Sequence, residues 1–182
     1  MIYEKQTIED VYLVKPQVFE DSRGYTFESY RKRELNEVTK KDIDFVQYNL
    51  SKSSKNVLRG LHYQSPKMPQ GKLVQAVEGK ILDVAVDVRK SSPTFGKWIS
   101  ATLSEDNKNM LWIPEGLAHG FYVLSNTAKI YYFLTNYYSP PDERCIMWND
   151  DFLNINWSLN DKPLISEKDK EGKKFKDLEY FD

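Results

Sequence analysis

The chain contains only two histidines, and the first lies in a short run of residues that could carry out proton transfer. His62 belongs to the strand-like segment Leu58–Gln64 (LRGLHYQ), which Gly60 interrupts. A glycine inside a strand often marks a bulge or the close approach of a ligand. Arg59 and His62 are three residues apart, so in a regular strand their side chains would lie on opposite faces. They can face one cavity only if such a bulge shifts the alternation of side chains. A lone strand histidine is more often structural, so other residues must support a catalytic role.

The second histidine, His119, ends a P-x-G-x-x-H pattern within Trp112–Gly120 (WIPEGLAHG). This pattern resembles the second motif of the cupins. Metal-binding cupins have H-x-H and a glutamate in their first motif, whereas this chain has His62-Tyr63-Gln64. The remaining ligands fall short of the three or four donors that a metal site needs. The sequence therefore predicts no metal and no cofactor, and Gln64 argues against the alternative of a metal-dependent cupin oxygenase.

Length and charge limit the classes of function. The 182 residues suit one domain, which we expect to span residues 1–182. Twenty-six Lys and Arg residues against 27 Asp and Glu residues give a formal net charge of −1. This balance excludes the uniformly basic surface that non-specific nucleic-acid binding requires. An anionic ligand must therefore bind in a local pocket.

The amino-terminal segment is interrupted by charges every few residues, which predicts neither a signal peptide nor a membrane span. We therefore expect a cytoplasmic protein that does not associate with membranes. Cys145 is the only cysteine, which excludes an intrachain disulfide and a multi-cysteine zinc site. Nothing in the sequence near Cys145 marks it as a nucleophile, and we expect a packing residue.

Short alternating segments separated by turn residues predict an all-β, antiparallel jelly-roll barrel with a few short peripheral helices. In Ile81–Val88 the alternation predicts Leu82, Val84 and Val86 facing inward, with Asp83 and Asp87 facing water. Two short helices are expected, one within Arg31–Lys40 and one in the charged stretch from Ser166.

Eight motifs together resemble the dTDP-4-dehydrorhamnose 3,5-epimerase family, and they extend from about Tyr12 to Asp169. They are DSRG (21–24), QYNLS (47–51), RGLHYQ (59–64), QGKL (70–73), DVAVDVR (83–89), WIPEGLAHGF (112–121), WND (148–150) and LISEKD (164–169). Members of this family are cupin-type jelly-roll homodimers that epimerise dTDP-4-keto-6-deoxyglucose. The resemblance implies a nucleotide-sugar substrate and a homodimer.

The resemblance also implies the catalytic residues. A proton next to a ketone is weakly acidic, so its removal needs a base with a pKa near the working pH and a donor that stabilises the enolate. By resemblance, His62 is the base and Asp169 orients it. Lys72 lies near the keto oxygen, and Tyr132 delivers a proton to the opposite face of the sugar.

Seven further residues are assigned to substrate binding. Five of them match family positions near the nucleotide or the sugar, whereas His119 either supports the active site or contacts the substrate, and Tyr138 belongs to a tyrosine pair that could stack on the nucleotide base. Arg23 and Arg59 match residues that meet the diphosphate, where a guanidinium binds phosphate oxygens in a bidentate manner. The other three matching residues are Glu28, Gln47 and Asn49.

The chain departs from the family at Ser65–Pro69 and at Phe133, which leaves the number of inverted centres open. A mono-epimerase, a keto-sugar isomerase and a non-catalytic nucleotide-sugar binding module therefore remain alternatives.

Overall fold

The structure is a computed structural model that describes residues 1–182, and two antiparallel sheets dominate it. The strands are β1 (Ile2–Lys5), β2 (Tyr12–Lys15), β3 (Val18–Asp21), β4 (Gly24–Phe27), β5 (Gln47–Ser54), β6 (Leu58–Gln64), β7 (Lys72–Glu78), β8 (Lys80–Asp87), β9 (Trp98–Ser104), β10 (Met110–Ile113), β11 (Leu117–Val123), β12 (Thr127–Leu134) and β13 (Glu143–Cys145). The helices are α1 (Lys32–Thr39) and α2 (Glu167–Lys170), with short 3₁₀ turns at Pro140–Asp142 and Phe175–Asp177. The predicted all-β jelly roll is confirmed, and both helices occur where they were expected.

Each sheet contributes one face to the central core. The six-stranded sheet has the order β1-β2-β10-β7-β12-β5, and the five-stranded sheet has the order β13-β6-β11-β8-β9. Fifteen buried residues pack between the two sheets, among them Val74, Ile130 and Phe121. The remaining strands, β3 and β4, form a separate two-stranded hairpin.

The outer faces of the two sheets are covered differently. The carboxyl-terminal segment packs on the five-stranded sheet, where Leu153, Trp157 and Phe175 bury the outer side of β8. Helix α1 covers part of the six-stranded sheet through Leu35. The helices lack the length and apolar composition needed to span a bilayer.

The predicted orientation of β8 is wrong. Val84 and Val86 pack beneath the carboxyl-terminal segment, whereas Asp83 and Asp87 are fully buried and do not face water. Alternation distinguishes the two faces of a strand but does not say which face turns inward, and here both faces are covered. Asp87 accepts hydrogen bonds from Arg89 in the turn after β8, and Asp83 faces the barrel interior.

Gly60 introduces an irregularity in β6, as the sequence predicts. The register between β6 and β11 shifts between His119 and Phe121, opposite this glycine. Gly60 has φ +112°, and a Cβ at this position would lie 2.6 Å from the carbonyl oxygen of His119. Only glycine allows the two strands to approach this closely. The shift brings both Arg59 and His62 to one cavity.

Candidate active site

An open cavity of about 370 Å³ lies between the two sheets. Strands β5, β7 and β12 line one side, β6 and β11 line the other, and α2 closes part of the rim. Eight of the eleven residues predicted from the sequence line it: Asn49, Arg59, His62, Lys72, His119, Tyr132, Tyr138 and Asp169.

His62 and Asp169 form a hydrogen-bonded pair at the cavity wall. Nε2 of His62 lies 2.6 Å from Oδ1 of Asp169, although the two residues are 107 positions apart. The other carboxylate oxygen accepts from the backbone N–H of Gly60. Burial raises the pKa of Asp169, but the hydrogen bond and charge of His62 and the Gly60 N–H outweigh burial and lower that pKa below its usual value. Asp169 is therefore held as a carboxylate.

Helix α2 fixes Asp169 by a local capping interaction. Ser166 is the N-cap, and its hydroxyl accepts a hydrogen bond from the backbone N–H of Asp169 at 3.1 Å. A Ser followed three residues later by an acidic residue is a typical start of a helix. The side chain of Asp169 is consequently directed at β6 from a short, rigid turn.

His119 belongs to a second, deeper pair. Its Nε2 lies 2.7 Å from Oδ1 of Asp83, and both side chains are buried. Oδ2 of Asp83 has no hydrogen-bond partner. Burial raises the pKa of Asp83, and the nearby His119 and Lys72 only partly offset this effect. The sequence did not predict Asp83 as a site residue, because its strand face was assigned to solvent.

Lys72 points into the barrel from the first residue of β7. Its Nζ donates a hydrogen bond to the backbone carbonyl of His62 at 3.1 Å, which links the two sheets. Burial lowers the pKa of Lys72 to about 8, although the negative charges of Glu143 and Asp83 oppose that effect. At neutral pH the ammonium group remains protonated and faces the cavity.

Tyr132 lies on β12, in the sheet opposite that of His62. Its hydroxyl is 3.2 Å from that of Ser51, and its ring contacts His119 edge-on at a centroid distance of 6.1 Å. Burial strongly raises the pKa of Tyr132, and the hydrogen bond with Ser51 opposes this only in part. The phenol therefore stays protonated at neutral pH.

Polar residues at the rim include two that sequence reasoning missed, Glu143 and Lys168, which form an ion pair. Tyr138 donates a hydrogen bond to Glu143 at 2.8 Å. Arg59 donates from Nε to the hydroxyl of Ser53 at 3.0 Å. Glu143 lies outside the eight motifs, and Lys168 lies within LISEKD, where only Asp169 was assigned a role.

Three predicted binding residues do not line the cavity. Gln47 supports its edge by accepting a hydrogen bond from the backbone N–H of Tyr138. Arg23 is exposed on the β3–β4 hairpin and pairs with Asp21, while Glu28 is exposed and pairs with Arg31. Within one chain, these two residues do not reach the pocket.

One group of side chains has donor atoms close enough to consider for a metal ion. His62, Cys145 and Asp169 have ligand atoms within 4.8 Å of one another. Gln64, which replaces a cupin metal ligand, is occupied: its amide donates to the carbonyls of Met68 and Tyr137. The cupin-type ligand set is therefore not available here.

The chain is similar over nearly its whole length to several known proteins. The family model for dTDP-4-dehydrorhamnose 3,5-epimerase matches residues 5–177. The enzyme of that name from Shigella flexneri is 52% identical over 177 residues, covering 97% of each chain. A crystal structure of the Elizabethkingia anophelis NUHP1 enzyme is 45% identical with a TM-score of 0.95, covering 99% of each chain.

A Legionella pneumophila Philadelphia 1 structure, a dTDP-6-deoxy-D-glucose-3,5-epimerase in complex with dTDP-4-keto-L-rhamnose, is 43% identical with a TM-score of 0.93. That alignment covers 96% of this chain and 93% of the Legionella chain. The resemblance inferred from eight motifs is thus confirmed over nearly the whole length, and the chain belongs to the dTDP-4-dehydrorhamnose 3,5-epimerase family.

Proposed function

We propose that this epimerase inverts C3 and C5 of a thymidine-diphosphate-linked 4-keto-6-deoxyhexose, with His62 as the base. The observation that carries the proposal is the His62–Asp169 pair in a cavity that also contains a buried ammonium group and a partly buried phenol. These groups meet the needs of proton transfer next to a ketone: a base, an enolate stabiliser and an acid.

Asp169 acts as a positioning residue. With Nε2–H of His62 donating to the Asp169 carboxylate, Nδ1 is left unprotonated and can accept a proton from the sugar. The carboxylate then stabilises the imidazolium ion that forms. Because the pKa of Asp169 is lowered, it remains charged while His62 is protonated.

Lys72 would stabilise the negative charge that develops on the keto oxygen. One of its three N–H donors is used by the carbonyl of His62, which leaves two for the substrate. A preorganised cation in a buried site stabilises an enolate without the cost of reorganising solvent.

Tyr132 would supply a proton from the opposite side. Inversion requires that a proton leave from one face of the carbon and return on the other. His62 and Tyr132 belong to different sheets, with the cavity between them. The raised pKa of Tyr132 keeps its hydroxyl protonated for this step.

Arg59 and Lys168 would bind the anionic diphosphate, and Asn49 and Tyr138 would contact the sugar or the nucleotide. Arg59 is exposed; its Nε donates to the hydroxyl of Ser53 and one terminal nitrogen donates to the backbone carbonyl of Lys52, which leaves further donors for phosphate oxygens. A guanidinium and an ammonium at one cavity suit a diphosphate. The Legionella relative, which carries a bound dTDP-sugar, supports this class of ligand.

We also propose a homodimer, in which Arg23 and Glu28 complete the partner's site. The hairpin that carries Arg23 forms a sheet of its own and exposes Phe19 and Tyr25. Apolar side chains also remain exposed on the outer face of the six-stranded sheet, namely Tyr48, Leu50, Val77 and Tyr131. Uncovered apolar surface next to an unpaired hairpin is typical of an interface between copies.

The dimer is tested by light scattering and by nucleotide binding. We expect twice the mass of one chain, and weaker, more salt-dependent dTDP binding in Arg23→Ala. A fully active protein with the mass of one chain would contradict the proposal.

The reaction is tested by incubating the protein with dTDP-4-keto-6-deoxyglucose in deuterated water and following the sugar by NMR. We expect deuterium to enter at C3 and C5 with inversion at both carbons, and the rate to survive a strong chelator. Exchange at a single carbon would indicate a mono-epimerase. A complete lack of deuterium incorporation, with dTDP still bound, would indicate a binding module.

A further inference from the structure

Cys145 lies directly beside the proposed base. It is the cross-strand partner of His62 in the antiparallel pair formed by β13 and β6, so both side chains project from the same face of the sheet. Asp169 approaches His62 from α2. The ligand atoms of the three residues all lie within 4.8 Å of one another.

We infer that His62, Cys145 and Asp169 form an inhibitory binding site for a thiophilic divalent ion such as Zn²⁺. The inference rests on the proposed function of His62, because it treats the ion as a competitor for the base. The three donors are a sulfur, an imidazole nitrogen and a carboxylate oxygen, a combination that zinc accepts. A water molecule would take the fourth position and complete a tetrahedron.

The geometry requires only small movements. Zinc bonds of about 2.0–2.3 Å at tetrahedral angles place neighbouring ligand atoms about 3.3–3.7 Å apart. The three atoms are within 4.8 Å of one another, and the closest pair, from His62 and Asp169, is 2.6 Å apart. Side-chain rotations that move each ligand atom by about 1 Å therefore convert the hydrogen-bonded arrangement into a set of metal ligands.

Binding of the ion exchanges protons in a defined way. The thiol of Cys145 releases its proton to solvent as its sulfur binds the metal, the Nε2 proton of His62 is replaced by a proton on Nδ1 through exchange with solvent, and no electron is transferred. Burial, together with the charges of Asp169 and Glu143, raises the pKa of the free thiol to about 12. The metal supplies the positive charge that the buried thiolate otherwise lacks. While the ion is bound, His62 cannot accept a proton from the sugar, and Asp169 no longer orients it.

This site differs from that of a metal-dependent cupin, which would use the other histidine. His119 is held by Asp83, and the amide of Gln64 is held by backbone groups. The cysteine, not His119, therefore decides whether the ion binds.

The test uses Co²⁺ as a spectroscopic probe and Zn²⁺ as the inhibitor, on full-length protein freed of metal by chelation. We expect Co²⁺ to produce a thiolate-to-cobalt charge-transfer band, and Zn²⁺ to remove that band by displacement. Zn²⁺ should also stop deuterium exchange into the sugar, and a chelator should restore it. Cys145→Ser should lose the band and weaken Zn²⁺ binding by at least about tenfold, and Cys145→Ala should behave in the same way.

His119→Asn is the matched control, since it removes the only other histidine. The band and the Zn²⁺ affinity should survive in this variant, and dTDP binding confirms that each variant retains its pocket. Loss of the band in His119→Asn, or Zn²⁺ affinity unchanged in both Cys145 variants, would overturn the inference. Because the cobalt band needs no substrate, it separates failure of the metal site from failure of the proposed reaction.

Discussion

The two histidine–aspartate pairs use the same atoms at nearly the same distance, yet their surroundings differ. Nε2–Oδ1 distances are 2.6 Å for His62–Asp169 and 2.7 Å for His119–Asp83. The two histidines are also cross-strand partners on β6 and β11. The side chain of His62 is 28% exposed at the cavity, whereas that of His119 is 6% exposed.

The carboxylates respond to these surroundings in opposite directions. Burial raises the pKa of both, but Asp169 has donors on both oxygens and its pKa is lowered overall. Asp83 has a donor on one oxygen only, and its pKa is raised overall. Deeper burial and the missing second donor together leave Asp83 less able than Asp169 to stabilise an imidazolium ion. Only the His62 pair combines this property with access to a ligand.

The largest expected difference between the pairs is in the rate of proton exchange. His62→Ala should lower exchange at both carbons by roughly 10²–10⁴-fold, because general-base catalysis contributes a factor of this order. His119→Asn should lower it by less than about tenfold, since a supporting residue transfers no proton. Deuterium incorporation into dTDP-4-keto-6-deoxyglucose measures both rates, and dTDP binding tests whether the pocket is intact. Equal losses in the two variants would remove the distinction between the pairs.

Lys72 connects the two pairs, and its loss should have the next largest effect. Its ammonium group contacts the backbone of His62 and is influenced by the charge of Asp83. Because its pKa is about 8, kcat/KM should decline as pH rises above that value and the lysine becomes neutral. Lys72→Met should reduce kcat/KM by roughly 10²–10³-fold and abolish this alkaline decline. A decline that persists in Lys72→Met would assign it to another group.

The two aspartates should affect stability with opposite dependence on pH. The lowered pKa of Asp169 means that its stabilisation is present above its ordinary value of 3.8 and disappears as pH falls through the lower folded-state value. Asp169→Asn should therefore reduce the free energy of unfolding by about 1–3 kcal/mol at pH 7, and by less near pH 3. Urea unfolding at both pH values measures the difference.

For Asp83 the sign is reversed. Its raised pKa means that the folded state loses stability as pH increases from 3.8 through the higher folded-state value. As pH rises from 3.8 to the folded-state pKa of Asp83, the free energy of unfolding of Asp83→Asn should therefore increase relative to that of the wild type. If Asp83→Asn instead lost stability relative to the wild type as pH rose, the folded protein would stabilise Asp83 as an anion, as it does Asp169.

The sequence predicted the type of fold more completely than the site. Alternating segments and turn glycines are local signals, so the jelly roll and the bulge at Gly60 could be inferred from them. The link between His62 and Asp169 spans 107 positions, and only the family resemblance brought these residues together. Local periodicity carries no information about such distant contacts.

Asp83 shows why some of the site could not be inferred. Apolar and acidic residues alternate along its strand, as in a half-exposed strand. However, the carboxyl-terminal segment covers the apolar face, and the acidic face lies inside the barrel. Glu143 and Lys168 were missed for a different reason, since they meet only after β13 and α2 dock at the rim. In both cases the deciding contacts come from segments far away in the chain.

Tyr132 is the most selective test, because it should separate two steps of one reaction. It lies in the sheet opposite His62, and its ring contacts the deeper pair through His119. Tyr132→Phe keeps the ring and its packing but removes the proton donor. His62 would still form the enolate, so deuterium exchange of at least one α proton should fall by less than about tenfold.

Inversion in Tyr132→Phe should decrease much more than exchange does. Without the phenol, His62 exchanges the abstracted proton for deuterium from the solvent and returns it to the enolate on the original face, which restores the starting configuration with deuterium in place of hydrogen. NMR in deuterated water measures both rates in one sample, and Ser51→Ala, which removes only the partner of the phenol, is a matched control. If exchange and inversion fell by the same factor, Tyr132 would act in binding or in enolate stabilisation. If neither changed, another group would protonate the opposite face of the carbon. The acid and the base would then not be supplied by Tyr132 and His62 on the two different sheets.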